Sequence, residues 1–174
     1  MMRVIFAVAT FACALHAWAG CNSALPKSTP DTQFTLKASG AIVRDNKTGL
    51  QWQRCSLGQV WNPVQNSCDA TTTARWFNWQ QALNAAGENR LAGFDNWRLP
   101  NKKELASILE LSCSQPAINS RLFPNTAAGR YWTSTPVPYA DSFTAWFVDF
   151  TYGDYGNLAV TQDTLSVRLV RDSE

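Results

Sequence analysis

The placement of cysteine constrains this chain more than any other feature of its sequence. Cys13 falls in an opening stretch that reads as a secretory signal: Arg3, an uncharged run from Val4 to Leu15, then Ala17-Trp18-Ala19. That run is too short to span a bilayer, and the small residues Ala17 and Ala19 suit signal-peptidase cleavage before Gly20. Removing residues 1–19 leaves Cys21, Cys55, Cys68 and Cys113. Four cysteines in an exported chain imply two bridges, drawn from three connectivities. Cys55 and Cys68 flank a short loop containing Gly, Pro and Asn, and closing it restricts the unfolded chain by about 3 kcal/mol in the entropy model. That pairing leaves Cys21 for Cys113, a bridge that would pin the N-terminal arm to the body. Zinc is the competing reading, but the cysteine spacings are wide and no histidine is at hand.

The only histidine, His16, and both methionines lie in the presumed signal, so residues 20–174 contain none of either. Without histidine, Ser-His-Asp and Cys-His nucleophile systems, histidine general bases and histidine-ligated zinc or copper are excluded. Loss of Arg3 takes the net charge from +2 to +1, which does not suggest a nucleic-acid partner. A chain of this length forms one domain with a real core, and no second apolar span of membrane length follows the signal. Seven tryptophans remain: Trp52, Trp61, Trp76, Trp79, Trp97, Trp132 and Trp146. Such rings usually wedge together loop-rich folds, and one or two could instead be sugar-stacking platforms.

Cys21 carries a second possibility. Trp18-Ala19-Gly20-Cys21 resembles a bacterial lipobox, with tryptophan where leucine is usual. Acylation there would strand an odd cysteine among the other three and tether the protein to a membrane. The main expectation is a periplasmic, secreted or cell-surface protein with an unlipidated Cys21.

Residues 20–39 read as a polar N-terminal arm and linker. Ile42-Val43-Arg44 and Leu50-Gln51-Trp52 then read as two short strands around a tight turn, with Gly49 free to take a positive φ. Asn78 can cap a first helix, with Gln81 as capping-box partner, apolar face Trp79, Ala82, Leu83 and Ala86, and Gly87 as its stop. A second helix begins at Asn101 with Glu104 completing its box, burying Leu105, Ile108 and Leu109. Its first turn holds Lys102 and Lys103, against the helix dipole. Three β runs follow, at 131–134, 145–150 and 165–170. In the last two, apolar residues favour one parity (146, 148, 150; 165, 167, 169), as a sheet buried on one face requires. Residues 136–142 and 151–164 read as loops.

No phosphate loop, HExxH, EF-hand loop or CxxC occurs. Asp141, Asp149, Asp154 and Asp163 could ligate calcium through oxygen, although solvated loop acids are the ordinary case, and no cofactor is expected. Asp95-Asn96-Trp97-Arg98 reads as a turn with Arg98 in an ion pair or against a ring.

Several strings occur in a familiar order: Thr48-Gly49-Leu50-Gln51-Trp52-Gln53-Arg54-Cys55, Phe94-Asp95-Asn96-Trp97-Arg98-Leu99-Pro100-Asn101-Lys102-Lys103-Glu104-Leu105, Pro116-Ala117-Ile118-Asn119, Phe123-Pro124, Tyr131-Trp132-Thr133-Ser134-Thr135 and Val167-Arg168-Leu169-Val170-Arg171. In these the chain resembles the Lcl C-terminal domain family, named for the C-terminal module of the Legionella collagen-like adhesin, over residues 40–172. The resemblance implies an α+β, C-type-lectin-like fold: two helices, a small antiparallel sheet and long loops on one side. The family's namesake recognises sulfated polysaccharide through a collagen-like trimer; this chain has no Gly-X-Y repeat, so that avidity does not carry over. The Glu-Pro-Asn, Gln-Pro-Asp and Trp-Asn-Asp strings of calcium-dependent sugar-binding lectins are also missing.

The expectation is a non-enzymatic, exported binding module for adhesion or recognition of an extracellular glycan or protein ligand. Its rivals are a structural subunit of an envelope or appendage assembly, and a hydrolase built on an acid pair. Binding residues favour loops on a rigid scaffold. The candidates are therefore Tyr139, Asp141, Phe143, Tyr152, Asp154, Tyr155 and Asn157, with a basic face of Arg44, Lys47, Arg75, Lys102 and Lys103 as the alternative. Non-reducing peptide mapping should recover Cys55–Cys68 and Cys21–Cys113 peptides; an acylated Cys21, or Cys21 joined to Cys55, would reject this connectivity.

Overall fold

The computed structural model describes residues 20–71, 75–138, 143–161 and 163–173. The strands are β1 (Gly20–Cys21), β2 (Phe34–Lys37), β3 (Ile42–Asp45), β4 (Gln51–Gln53), β5 (Gln59–Asn62), β6 (Ser67–Ala70), β7 (Cys113–Ser114), β8 (Arg130–Pro136), β9 (Thr144–Asp149), β10 (Asp154–Ala159) and β11 (Val170–Arg171). Helices α1 (Trp79–Glu88) and α2 (Lys102–Ala106) lie between β6 and β7. The strands form a four-stranded sheet, β11-β4-β3-β2, a three-stranded sheet, β10-β9-β8, and two small pairs, β5-β6 and β1-β7. Strand pairing is antiparallel throughout these sheets. The architecture is α+β.

Local chemistry accounts for the first hairpin. The buried Asp45 carboxylate accepts from the Lys47 amide at 2.9 Å and the Thr48 hydroxyl at 2.8 Å. Gly49 takes φ 77° and donates its N–H to the Asp45 carbonyl. Both helices open with the capping boxes expected of them, Asn78 with Gln81 and Asn101 with Glu104. Helix α1 does not stop at Gly87 but runs through it to Glu88, and extended Asn89 ends it. A glycine inside the last turn costs helix stability without forcing a stop.

Residues 20–39 are not the linker expected. Phe34 is buried in the core, and Phe34–Lys37 adds an edge strand to β3. Upstream, Thr29 is buried against Glu110, whose two carboxylate oxygens take hydrogen bonds from the amides of Ser28, Thr29 and Ser112 and from their hydroxyls. One aromatic ring and one carboxylate eighty residues away leave no periodic trace in the sequence. Cys21 is bonded to Cys113, close to the same anchor, and Cys55 to Cys68. The β5-β6 hairpin, unread from the sequence, begins inside that second loop, and β6 itself carries Cys68. An acylated Cys21 would need the sulfur that this disulfide uses. Two disulfides indicate an oxidising, non-cytoplasmic environment, and no described helix is long and apolar enough to cross a membrane.

The expectation of sheets buried on one face is corrected. Tyr131, Val148 and Val170 belong to one core with Trp52, Leu105, Ile108 and Phe150, whereas Trp132, Phe147 and Leu169 belong to a second with Ile42, Ala86, Trp97 and Leu99. Successive residues of β3, β8 and β9 therefore serve opposite cores. A strand covered on both faces carries a near-continuous apolar run, which is what Ala145-Trp146-Phe147-Val148 is. The run 165–170 is likewise not one strand of one sheet. Leu165 pairs with Phe77, Ser166 with Arg130 and Trp132, the Val167 carbonyl with Leu57, the Leu169 carbonyl with Gln53, and Val170 with Arg98 and Trp52. This segment laces the three-stranded sheet to the four-stranded one.

Buried Arg168 donates from Nη1 to the carbonyls of Gln53 and Arg54 and from Nη2 to the hydroxyls of Ser56 and Thr126. Indole N–H groups pin the irregular segments in the same manner: Trp97 to Leu91, Trp132 to Phe77, Trp79 to Thr133 and Trp61 to Ser39, each at a backbone carbonyl.

Glu110 sets a pH dependence. Burial raises its carboxyl pKa, but the hydrogen bonds from the Ser112 hydroxyl and from the amides of Thr29, Ser112 and Ser28 outweigh it and hold the group down at about 2, from an ordinary value of 4.5. A depressed folded-state pKa contributes stability above the unfolded value, lost as pH falls from 4.5 towards 2. Glu110→Gln should cost on the order of 2–3 kcal/mol at neutral pH. In urea denaturation series the gap between wild type and variant should close across that acid window; a gap independent of pH would reject the assignment.

Candidate ligand-binding surface

Helix α2 is placed by a fork of charge. Arg98 donates from Nη1 and Nη2 to the two oxygens of Glu104, at 2.8 and 2.9 Å, and from Nη2 to Asp172 at 3.0 Å. Hydrogen bonding to Glu104 dominates and raises the Arg98 pKa, so this arginine stays charged. Glu104 also accepts from the Asn101 amide, which joins the capping box to the ion pair. The Lys102 amide donates to the Thr135 hydroxyl and the Ser134 amide to the Pro100 carbonyl, fixing the helix start against β8.

That placement carries the Lys102 ammonium over two rings. Nζ lies 3.5 Å from the Trp146 ring centroid and 3.8 Å from that of Tyr155, and the two rings meet edge-on, 6.0 Å apart. In the register of β9 and β10, Tyr155 faces Val148 and Asn157 faces Trp146, so Trp146, Tyr155 and Asn157 project from one face of the sheet. Val148 on that face is buried beneath, while Tyr155 is 57% exposed and Asn157 is exposed. The cation–π contacts offset the unfavourable position of Lys102 in the helix's first turn.

The predicted set divides. Tyr155 and Asn157 come together with Lys102, which the sequence reading had placed on the rival basic face. Asp154, Tyr155 and Asn157 are not on a loop, because residues 154–159 form edge strand β10. A run with one leucine and a central glycine carries little strand signal. Asp154 has the opposite parity and lies across from Asp149, which pairs with Arg130 at 3.6 Å. Tyr152 sits in the turn before β10, its hydroxyl accepting from Gln115 Nε2 at 2.8 Å. Phe143, just before β9, is the most exposed ring of the set among the described residues, at 89%. Tyr139 and Asp141 lie outside the described residues.

The basic candidates differ in setting. Arg44 is partly buried in β3, with Nε buried and unpartnered among the described residues. Lys47 is in the exposed β3–β4 turn, Arg75 lies 5.8 Å from the Trp76 ring centroid, and Lys103 is exposed on α2. Among the described residues no three acidic, cysteine or histidine side chains converge as a metal site requires. Trp146 was missed as a site residue. Its parity with Val148 and Phe150 marks it as core, yet it is only partly buried and belongs to neither core cluster.

With this geometry in view, the family model described as the Lcl C-terminal domain matches residues 41–171, most of the chain. No curated protein matches.

Edge strand β10 lies close to β9 because residue 156 is glycine. A Cβ there would meet Phe147 Cζ at 2.7 Å, with the ring buried in the second core. Gly156→Ala should destabilise by about 1–3 kcal/mol through overpacking and loosen the Tyr155–Lys102 contact. Thermal unfolding reads the first effect. The second should appear as a changed environment of the Tyr155 ring protons in NMR spectra, and an unchanged Tm would refute the close approach.

Proposed function

We propose a recognition role for this chain, which belongs to the Lcl C-terminal domain family: an exported, non-enzymatic binding module that takes an extracellular glycan or protein ligand on the outer side of β10. The observation that carries this reading is the Lys102 ammonium held between Trp146 and Tyr155. A lysine so held, beside a half-exposed phenol ring and the exposed amide of Asn157, gives rigid contact area and hydrogen-bonding groups with few rotors left to freeze. Two helices, small antiparallel sheets and long connections support a C-type-lectin-like description of the scaffold. Disulfides in both halves of the chain and the composition of residues 1–19 support export, with the sulfur of Cys21 spent in a bridge rather than a lipid anchor.

The purified protein, screened on glycan and extracellular-protein arrays with and without calcium, should bind a ligand without turnover. Tyr155→Ala should then weaken binding by at least about tenfold, with little change in melting temperature, because the ring is exposed. Lys102→Met removes the charge while keeping much of the stem, and should weaken binding less if the rings make the main contact. Binding that survives Tyr155→Ala but collapses when Lys47 and Lys103 become Glu would reject this surface in favour of a diffuse electrostatic one. Hydrolysis of any arrayed polysaccharide, lost on replacing one carboxylate, would overturn the non-enzymatic reading.

A further inference from the structure

Trp76 is a largely exposed indole next to a backbone that is fixed on its C-terminal side. Phe77 is locked by reciprocal backbone hydrogen bonds with Leu165, and its carbonyl also accepts from the Trp132 indole at 2.7 Å. Asn78 begins α1 directly afterwards. The residue before this locked point is therefore rigid at its base, yet Trp76 leaves 63% of its surface in water. Of the three largest buried indoles none is comparable: Trp52, Trp97 and Trp132 are at most 3% exposed. Burying such a ring would be favourable, and a fixed backbone removes most of the ordering cost of doing so in a complex.

The indole borders two grooves. One, of about 310 Å³, runs along α1 and is lined by Phe77, Gln81, Asn84, Ala85 and Glu88. The other, of about 140 Å³, is lined by Arg75, Gln59 and Asn125 among others. The polar groups offered to these grooves are planar and hydrogen-bonding. Asn84 and Gln81 use their side-chain oxygens, for Gln80 and the Asn78 amide, and their NH₂ groups have no protein partner among the described residues. Glu88 makes no ion pair or hydrogen bond among those residues, and Arg75 has only its ring contact to Trp76. One guanidinium and one carboxylate on opposite grooves leave no net charge for an ionic ligand to read.

We propose that Trp76 is the stacking platform of a second binding site, for a linear neutral oligosaccharide, with one pyranose unit against the indole and its neighbours in the two grooves. The C–H face of a pyranose matches the flat apolar ring. Its hydroxyls, each donor and acceptor, match amide and guanidinium donors together with a carboxylate acceptor. An anionic chain would meet Glu88, and a cationic one Arg75. The site shares no residue with the β10 surface and stands or falls independently of it.

The intact protein is titrated with chitotetraose, cellotetraose and maltotetraose by calorimetry and tryptophan fluorescence, each up to about 10 mM. At least one should bind and shift indole emission. Trp76→Ala should weaken that binding at least about tenfold with an unchanged melting temperature, Trp76→Phe should recover part of it, and Tyr155→Ala should leave it as in wild type. Affinity should vary little between about 50 and 500 mM salt. The proposal is overturned if none of the three sugars binds, if Trp76→Ala binds as wild type, if Tyr155→Ala abolishes the binding, or if affinity falls steeply with salt. Binding of a proline-rich peptide in place of all three would also overturn it.

Discussion

One guanidinium holds the two halves of this protein together. Arg168 is fully buried and makes no ion pair among the described residues; its partners are the carbonyls of Gln53 and Arg54 and the hydroxyls of Ser56 and Thr126, with the Phe123 ring 4.9 Å away. Burial pushes its pKa down to about 10, with the nearby Tyr131 phenol resisting the shift, so the charge persists at neutral pH. A buried charge is costly unless its hydrogen-bonding capacity is used, and here four acceptors use Nη1 and Nη2. Those acceptors belong to the end of β4, the stretch after it and the segment before β8. The strand-like run that carries Arg168 has no single sheet to join, and the guanidinium fixes where it passes between the two that it bridges.

The same device recurs. Arg54 donates to the carbonyls of Leu122, Gly40 and Arg121 and to Asn66, and stacks 3.9 Å from the Trp61 ring centroid. Gly40 is needed at that point: φ is 87°, and a Cβ would stand 3.2 Å from both the guanidinium and the indole. Glu110 does for three amides what the arginines do for carbonyls. Where helices and sheets are few, backbone groups that would otherwise be paired in ladders must be paired by side chains. Arginine, with five donors in a fixed fork, and tryptophan, with one donor on a large apolar body, are suited to that task.

The proposed recognition surfaces are by-products of these anchors. Lys102 reaches Trp146 and Tyr155 because Arg98, Glu104 and Asp172 set the start of α2 and because Gly156 lets β10 lie close on β9. Trp76 faces water because Phe77 is tied from three sides. In each case a rigid anchor inside the core presents a ring outside it. Rings presented in this way can meet a ligand without a prior folding step.

Whatever depends on neighbours within a few residues was legible in the sequence: the Asp45–Gly49 turn, the two capping boxes, the β texture of 131–134 and 145–150, the ion pair of Arg98 and the chemistry of the cysteines. Local hydrogen bonds and short-range periodicity need only the residues that make them. The rest was decided by contacts between distant segments. Phe34 and Thr29 joined the body through partners that no window of sequence contains, and β10 became a strand because β9 offered it an edge. The parity of β9 was misread because a second core covers its other face. Tyr155 and Asn157 stood out from their chemistry alone as candidates for recognition. That Lys102 and Trp146 stand with them was not legible, since cation–π contacts and cross-strand neighbours follow from register and helix placement, and these exist only once the two cores have formed.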